Sequence, residues 1–224
     1  MTDKDPQTVL EENIQEAIRV LAPKFEITPQ MLVSFIKPQI EVQESPIRRK
    51  PLVSALYDPI NIKFTFRQDM IRNAGIIGHE VGHYLHDMVN EGFQEDIFDS
   101  ADIHFRSKRY WLGIQTKELV GRYSEIVYLK LCGQPFTPWQ KGEHLDNGAG
   151  AALHDLAIEL GYRRADIAFT KYGDTFLPKI VKMNLDEAVE VLPREFPVGF
   201  YERRIMPIIA AVKRKSDQKY TSGT

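Results

Sequence analysis

Apolar residues recur at helical spacing from Thr8 to Leu21, at Val9, Leu10, Ile14, Ala17, Ile18 and Leu21, and Pro23 stops the pattern. Thr28-Pro29-Gln30 reads as an N-cap with proline in the first turn, predicting a short helix that ends near Pro38. Glu41 to Lys50 is polar and basic and is expected to be an exposed loop. The period then changes to two. Leu52–Tyr57 and Ile62–Phe66 flank the turn Asp58-Pro59-Ile60-Asn61 and predict a hairpin, with Ile62, Phe64 and Phe66 on one face. The second strand either only covers the core or also offers a free edge to an extended peptide.

Gly75 to Val89 predicts a helix of a different kind. His79, Glu80, His83, His86 and Asp87 share about a third of the wheel, and Ile77, Val81, Tyr84, Leu85, Met88 and Val89 cover the other side. Gly75, Gly78 and Gly82 form a stripe at the border. Each glycine costs about 1 kcal/mol relative to alanine inside a helix, so the stripe predicts close approach by another backbone. No face suits bulk water, and the helix is expected to be central and mostly buried.

Asn90 to Arg109 runs from acidic to basic and is expected to be a solvated loop or irregular helix. Asp96, Asp99 and Asp102 lack an EF-hand pattern there, and His104 reads as structural. Thr116 to Leu131 predicts a helix with Leu119, Val120, Tyr123, Val127 and Leu131 on its apolar side and a separate stripe of Glu118, Arg122 and Glu125. Helices are also predicted over Asn147–Leu160, over Leu185–Leu192 behind the capping box of Asn184 and Glu187, stopped by Pro193, and over Tyr201–Arg214, interrupted at Pro207. Residues 213–224 read as a flexible tail. These elements predict an α+β fold in a single domain over 1–212, with a small N-terminal sheet and the central helix in about 1–92 and a largely helical part in about 93–212.

Composition changes this picture little. In 224 residues, 29 Lys and Arg against 31 Asp and Glu give a net charge of −2, so nothing in the charge calls for nucleic acid or an anionic membrane as partner. No apolar run is long enough to span a bilayer, and the first residues lack a signal-peptide core, so a cytoplasmic protein is expected. The single cysteine, Cys132, excludes an intrachain disulfide and a cysteine zinc cluster, and its apolar surroundings predict a small core residue.

The chemistry is concentrated in His79-Glu80-Val81-Gly82-His83, a His-Glu-x-x-His sequence. One helical turn separates the two histidines, so both imidazoles fall on one side, where one tetrahedral cation can hold them. Glu80 flanks that point and can serve as general base without being a ligand. A third ligand must come from elsewhere, and the stripe of Glu118, Arg122 and Glu125 is the obvious source. It is otherwise an exposed ion-pair ladder worth a few tenths of a kcal/mol.

The pairing of His79-Glu80-x-x-His83 with a later glutamate helix resembles the gluzincin metallopeptidases, the thermolysin-like group, and in scale the small archaeal minigluzincins. The resemblance covers residues 51 to 131. It implies a zincin-like fold, a bound Zn2+, a peptide or protein substrate laid along an edge strand, and hydrolysis with Glu80 as general base and acid. In that family a small residue follows the ligand glutamate at the third position. This implies Glu118, which Gly121 follows, with Glu125, which Tyr128 follows, as the alternative. A metzincin pattern fails, because Val89 stands where its third histidine belongs and His86 where its glycine does. His86 fits a pocket-lining role, Glu125 is the first candidate for orienting the histidines, and Tyr110, His154 and Arg163 are candidates for oxyanion stabilisation. The alternative function is a catalytically inactive or latent zincin-fold binding or regulatory protein.

Overall fold

Helix α1 (Pro6–Leu21) starts two residues before its apolar period, because Asp5 accepts the Thr8 N–H at 3.2 Å and Pro6 occupies the first turn. Leu10, Ile14, Ala17 and Leu21 are wholly buried, and Pro23 turns the chain into a 3-10 turn over Ala22–Phe25. Thr28 caps α2 (Pro29–Ser34) by accepting the Met31 N–H at 3.2 Å. This helix ends short of Pro38, because the chain straightens at Phe35 to enter the sheet. The computed structural model describes residues 4–44, 54–90, 108–134 and 181–195.

The expected loop after residue 40 begins instead as strand β1 (Gln39–Gln43), which pairs in parallel with β3 (Lys63–Arg67). Its two apolar residues, Ile40 and Val42, alternate inward opposite Phe64 and Phe66, while Glu41 lies beside Thr65 and pairs with Lys63 at 2.5 Å. The predicted hairpin is present as β2 (Ala55–Asp58) antiparallel to β3. Asp58 holds its turn, accepting the Ile60 N–H at 3.0 Å and the Asn61 side-chain amide at 2.7 Å. Ile62 closes the turn with φ at 47°, and its carbonyl accepts the Gln39 N–H at 2.8 Å. The strand order is β1-β3-β2, so β3 is central and has no free edge to offer. The margin on the hairpin side belongs to β2.

A 3-10 turn over Gln68–Met70 leads into α3 (Ala74–Val89), capped by Asn73, whose side chain accepts the Ile76 N–H at 3.1 Å. Ten of its residues are buried, as its wheel requires. Ile77, Val81 and Leu85 join Phe64, Phe66 and the inner face of α1 in one core, and Tyr84 donates to the Ile36 carbonyl at 3.0 Å.

Helix α4 (Lys108–Leu131) begins eight residues before the predicted start. It ends in a Schellman arrangement, with Gly133 at φ 65° and the Gln134 N–H bonded to the Leu129 carbonyl at 2.9 Å. Cys132 sits at this end and is exposed, not buried, because the apolar face of α4 has already ended; Leu131 is exposed as well. Helix α5 (Leu185–Glu195) opens on the predicted capping box. The Glu187 N–H bonds to the Asn184 side chain at 2.9 Å, and Asn184 N–H bonds to Glu187 at 3.0 Å. It continues through Pro193 for two further residues, so the proline does not stop it. The helices predicted over Asn147–Leu160 and Tyr201–Arg214, and the tail from Lys213, lie outside the described residues.

Contacts group the chain into two compact units. One comprises Met1–Glu91, Leu119–Thr137 and Phe169–Lys182, the other Gly92–Glu118, Pro138–Ala168 and Met183–Thr224. The first holds the sheet, α1 to α3 and the C-terminal part of α4. In the second, α5 buries Leu185 and Ala188 completely. Among the described residues, no helix is long and apolar enough to cross a membrane.

Candidate metal centre

The glycine stripe of α3 does what its cost demands. A Cβ on Gly78 would meet Tyr128 Cβ at 2.9 Å and Glu125 Cα at 3.3 Å. One on Gly82 would meet Ser124 Cβ at 2.5 Å and the Val120 carbonyl at 3.3 Å. Helix α4 therefore lies against α3 at a distance only glycine permits, and Ser124, wholly buried, turns its hydroxyl back to Val120 O at 2.9 Å. Gly121 supplies the reciprocal gap. A Cβ there would stand 2.7 Å from His79 Cε1 and 2.8 Å from His83 Cε1. Both imidazoles are thus lodged against the backbone of α4.

Within that cradle the Nε2 atoms of His79 and His83 are 3.1 Å apart, with the ring planes perpendicular. Two nitrogens on one tetrahedral zinc at 2.0–2.1 Å stand about 3.3–3.4 Å apart, so the spacing is near that of a shared ion. A hydrogen bond between the two rings would give a similar distance, so the third donor carries the distinction. His79, His83 and Glu118 each offer a ligand atom, and the three lie within 4.8 Å of one another, a group that could hold a metal ion. Glu118 stands one turn before Arg122 on the same helix as Gly121, so the small residue three positions on is the one packed on the imidazoles.

Glu125 takes a different place. One of its carboxylate oxygens is 3.8 Å from Nδ1 of His79, the nitrogen on the far side of the ring from Nε2, and Arg122 forms an ion pair with that same oxygen. With Arg122 at 5% exposure, the Glu118-Arg122-Glu125 stripe is not a solvated ladder. At that distance the carboxylate is a neighbour of the imidazole and not a hydrogen-bond partner of Nδ1.

Glu80 is held from the sheet. One carboxylate oxygen accepts the backbone N–H of Tyr57 on β2 at 2.9 Å. The Tyr57 ring packs on Phe64 and edge-on to Tyr84, with centroids 5.2 and 5.9 Å away. Burial, followed by the charge of Asp87, holds the Tyr57 hydroxyl proton well above the usual tyrosine range. Burial alone pushes Tyr84 up to about 12. His86 shares the polar side of α3 and is completely buried. Sequence reasoning did not find the Tyr57 contact, because a main-chain donor leaves no mark in residue type. The hairpin preceding the helix was the one available hint.

The side chain of Tyr110, the three aspartates with His104, and His154 and Arg163 all lie outside the described residues. Comparison with protein-family models, with curated proteins and with solved structures returned no match to this chain.

Proposed function

We propose that this chain is a zinc-dependent peptidase of zincin-like fold, resembling the gluzincins, which hydrolyses a bond in a peptide or protein substrate. The observation that carries the reading is the convergence of His79, His83 and Glu118 from two helices onto one small volume. Two neutral imidazoles and a carboxylate are the donor set of a catalytic zinc with a position left open. The bound ion would acidify a water and polarise the scissile carbonyl. Glu80 accepts the proton of the attacking water and returns it to the leaving amine. Glu125, paired with Arg122, stands beside the ring of His79, where it would orient the imidazole by its charge, and Gly121 leaves room for both imidazoles. The margin of β2 turned away from β3, beside Glu80, is where an extended substrate would pair.

Metal content and peptide cleavage together test the proposal. One zinc per chain is expected in the wild type and in Glu125→Ala, at about 10- to 100-fold weaker affinity in the latter. Glu118→Ala loses the ion. Glu80→Gln keeps the ion and loses about 10²- to 10⁴-fold in turnover. A chain without zinc refutes the centre. Zinc without cleavage, at full length and after truncation near Lys213, would establish instead the inactive binding protein.

A further inference from the structure

The contact between Tyr57 and Glu80 assigns a task to a piece of main chain. Antiparallel strands turn alternate residues toward and away from their partner. The Arg67 N–H bonds to the Ser54 carbonyl at 3.0 Å, and Leu56 lies opposite Thr65, so Ser54 and Leu56 face β3 while Ala55 and Tyr57 turn their backbone groups to the margin away from β3, which no described strand covers. At that margin the Tyr57 N–H meets Glu80 Oε2 at 2.9 Å. The donor is rigid. The Tyr57 ring is 5% exposed and wedged between Phe64 of the central strand and Tyr84, one helical turn beyond Glu80. A bond from an amide to a carboxylate is among the stronger hydrogen bonds, and it engages one of two oxygens.

We propose that the main-chain amide of Tyr57 is the positioning group for Glu80, holding its carboxylate in place for proton transfer. The inference rests on Glu80 being the base, as set out above. It has a consequence for recognition: a peptide added along β2 finds the Tyr57 N–H engaged, so in that register pairing depends on the outward groups of Ala55 and on the Tyr57 carbonyl.

The test has two arms. In the first, amide hydrogen exchange is followed by NMR in the full chain. The Tyr57 amide, though on a sheet margin, should be protected in the wild type and exchange at least about tenfold faster in Glu80→Ala, while the Leu56 amide is unchanged. In the second, position 57 is replaced by the α-hydroxy analogue of tyrosine, which keeps the ring and deletes the N–H. The kcat should fall about 10- to 100-fold with KM and zinc content unaltered. Equal exchange of Tyr57 in both proteins, or an ester variant with undiminished kcat, overturns the proposal. A wild type that cleaves no peptide overturns the peptidase reading instead, and the exchange arm then decides alone whether the amide holds Glu80.

Discussion

Gly121→Ala adds one methyl group where α4 meets both imidazoles. Its Cβ would lie 2.7 Å from His79 Cε1, 2.8 Å from His83 Cε1 and 3.0 Å from His79 Nδ1, where ordinary contact begins at 3.4 Å. The rings must retreat by about 0.7 Å, or the helices must part by as much. A metal site tolerates about 0.2 Å in ligand distance, so the displacement exceeds what the centre can absorb, and zinc affinity should fall at least tenfold to a hundredfold. The fold loses less. Overpacking costs about 1–3 kcal/mol, and alanine returns about 1 kcal/mol of helix propensity, leaving a net loss of about 0–2 kcal/mol. Competition titration against a chelating dye reads the affinity, and urea unfolding in the presence of chelator reads the metal-free stability. A variant that binds zinc within twofold of the wild type would refute the claim that α4 cradles the two imidazoles.

Gly82→Ala should cost about 1–3 kcal/mol in urea unfolding, because it drives a methyl group into Ser124; Ser124→Gly in the same chain should restore much of that loss. Asn73→Ala removes the cap of α3 and should lower stability by about 1 kcal/mol, measured by the same unfolding midpoint. Zinc at a thousandfold excess over its dissociation constant should stabilise the wild type by about 4 kcal/mol and Glu118→Ala not at all, a difference lost on adding chelator. Tyr84 keeps its proton up to about pH 12 when folded, against about 10 unfolded, so the native state holds more protons between those values. Stability should therefore fall as pH rises from about 10 to about 12, and Tyr84→Phe should make that decline shallower in pH-dependent unfolding.

The strongly patterned elements were legible because packing and local signal agree in them. The α1 stripe, the hairpin and the glycine-bordered face of α3 each satisfy one requirement of the sequence. The short strand β1 was not, since two apolar residues among glutamines and a glutamate give too brief an alternation to tell from a polar loop. Pro193 misled because a proline signal weighs the local backbone alone, whereas α5 is anchored by the burial of Leu185 and Ala188. At the site, His79, His83 and Glu118 could be named from spacing and resemblance together, and Gly121 from the same pattern. The roles of Arg122 and of the Tyr57 amide depend on how α4 and β2 dock on α3, which residue type does not encode.

Ile62 is a β-branched residue in left-handed backbone, a conformation that costs about 1–2 kcal/mol relative to ordinary geometry. The carbonyl at that bend receives the Gln39 N–H, the opening rung of the parallel ladder. An isolated hairpin would have reason to relax there, whereas one with the preceding segment zipped alongside is rewarded for keeping the bend. Turn formation and the docking of the N-terminal forty residues are thereby cooperative, and trimming that segment would loosen the hairpin, and with it the strand that meets Glu80, before any residue of α3 is touched.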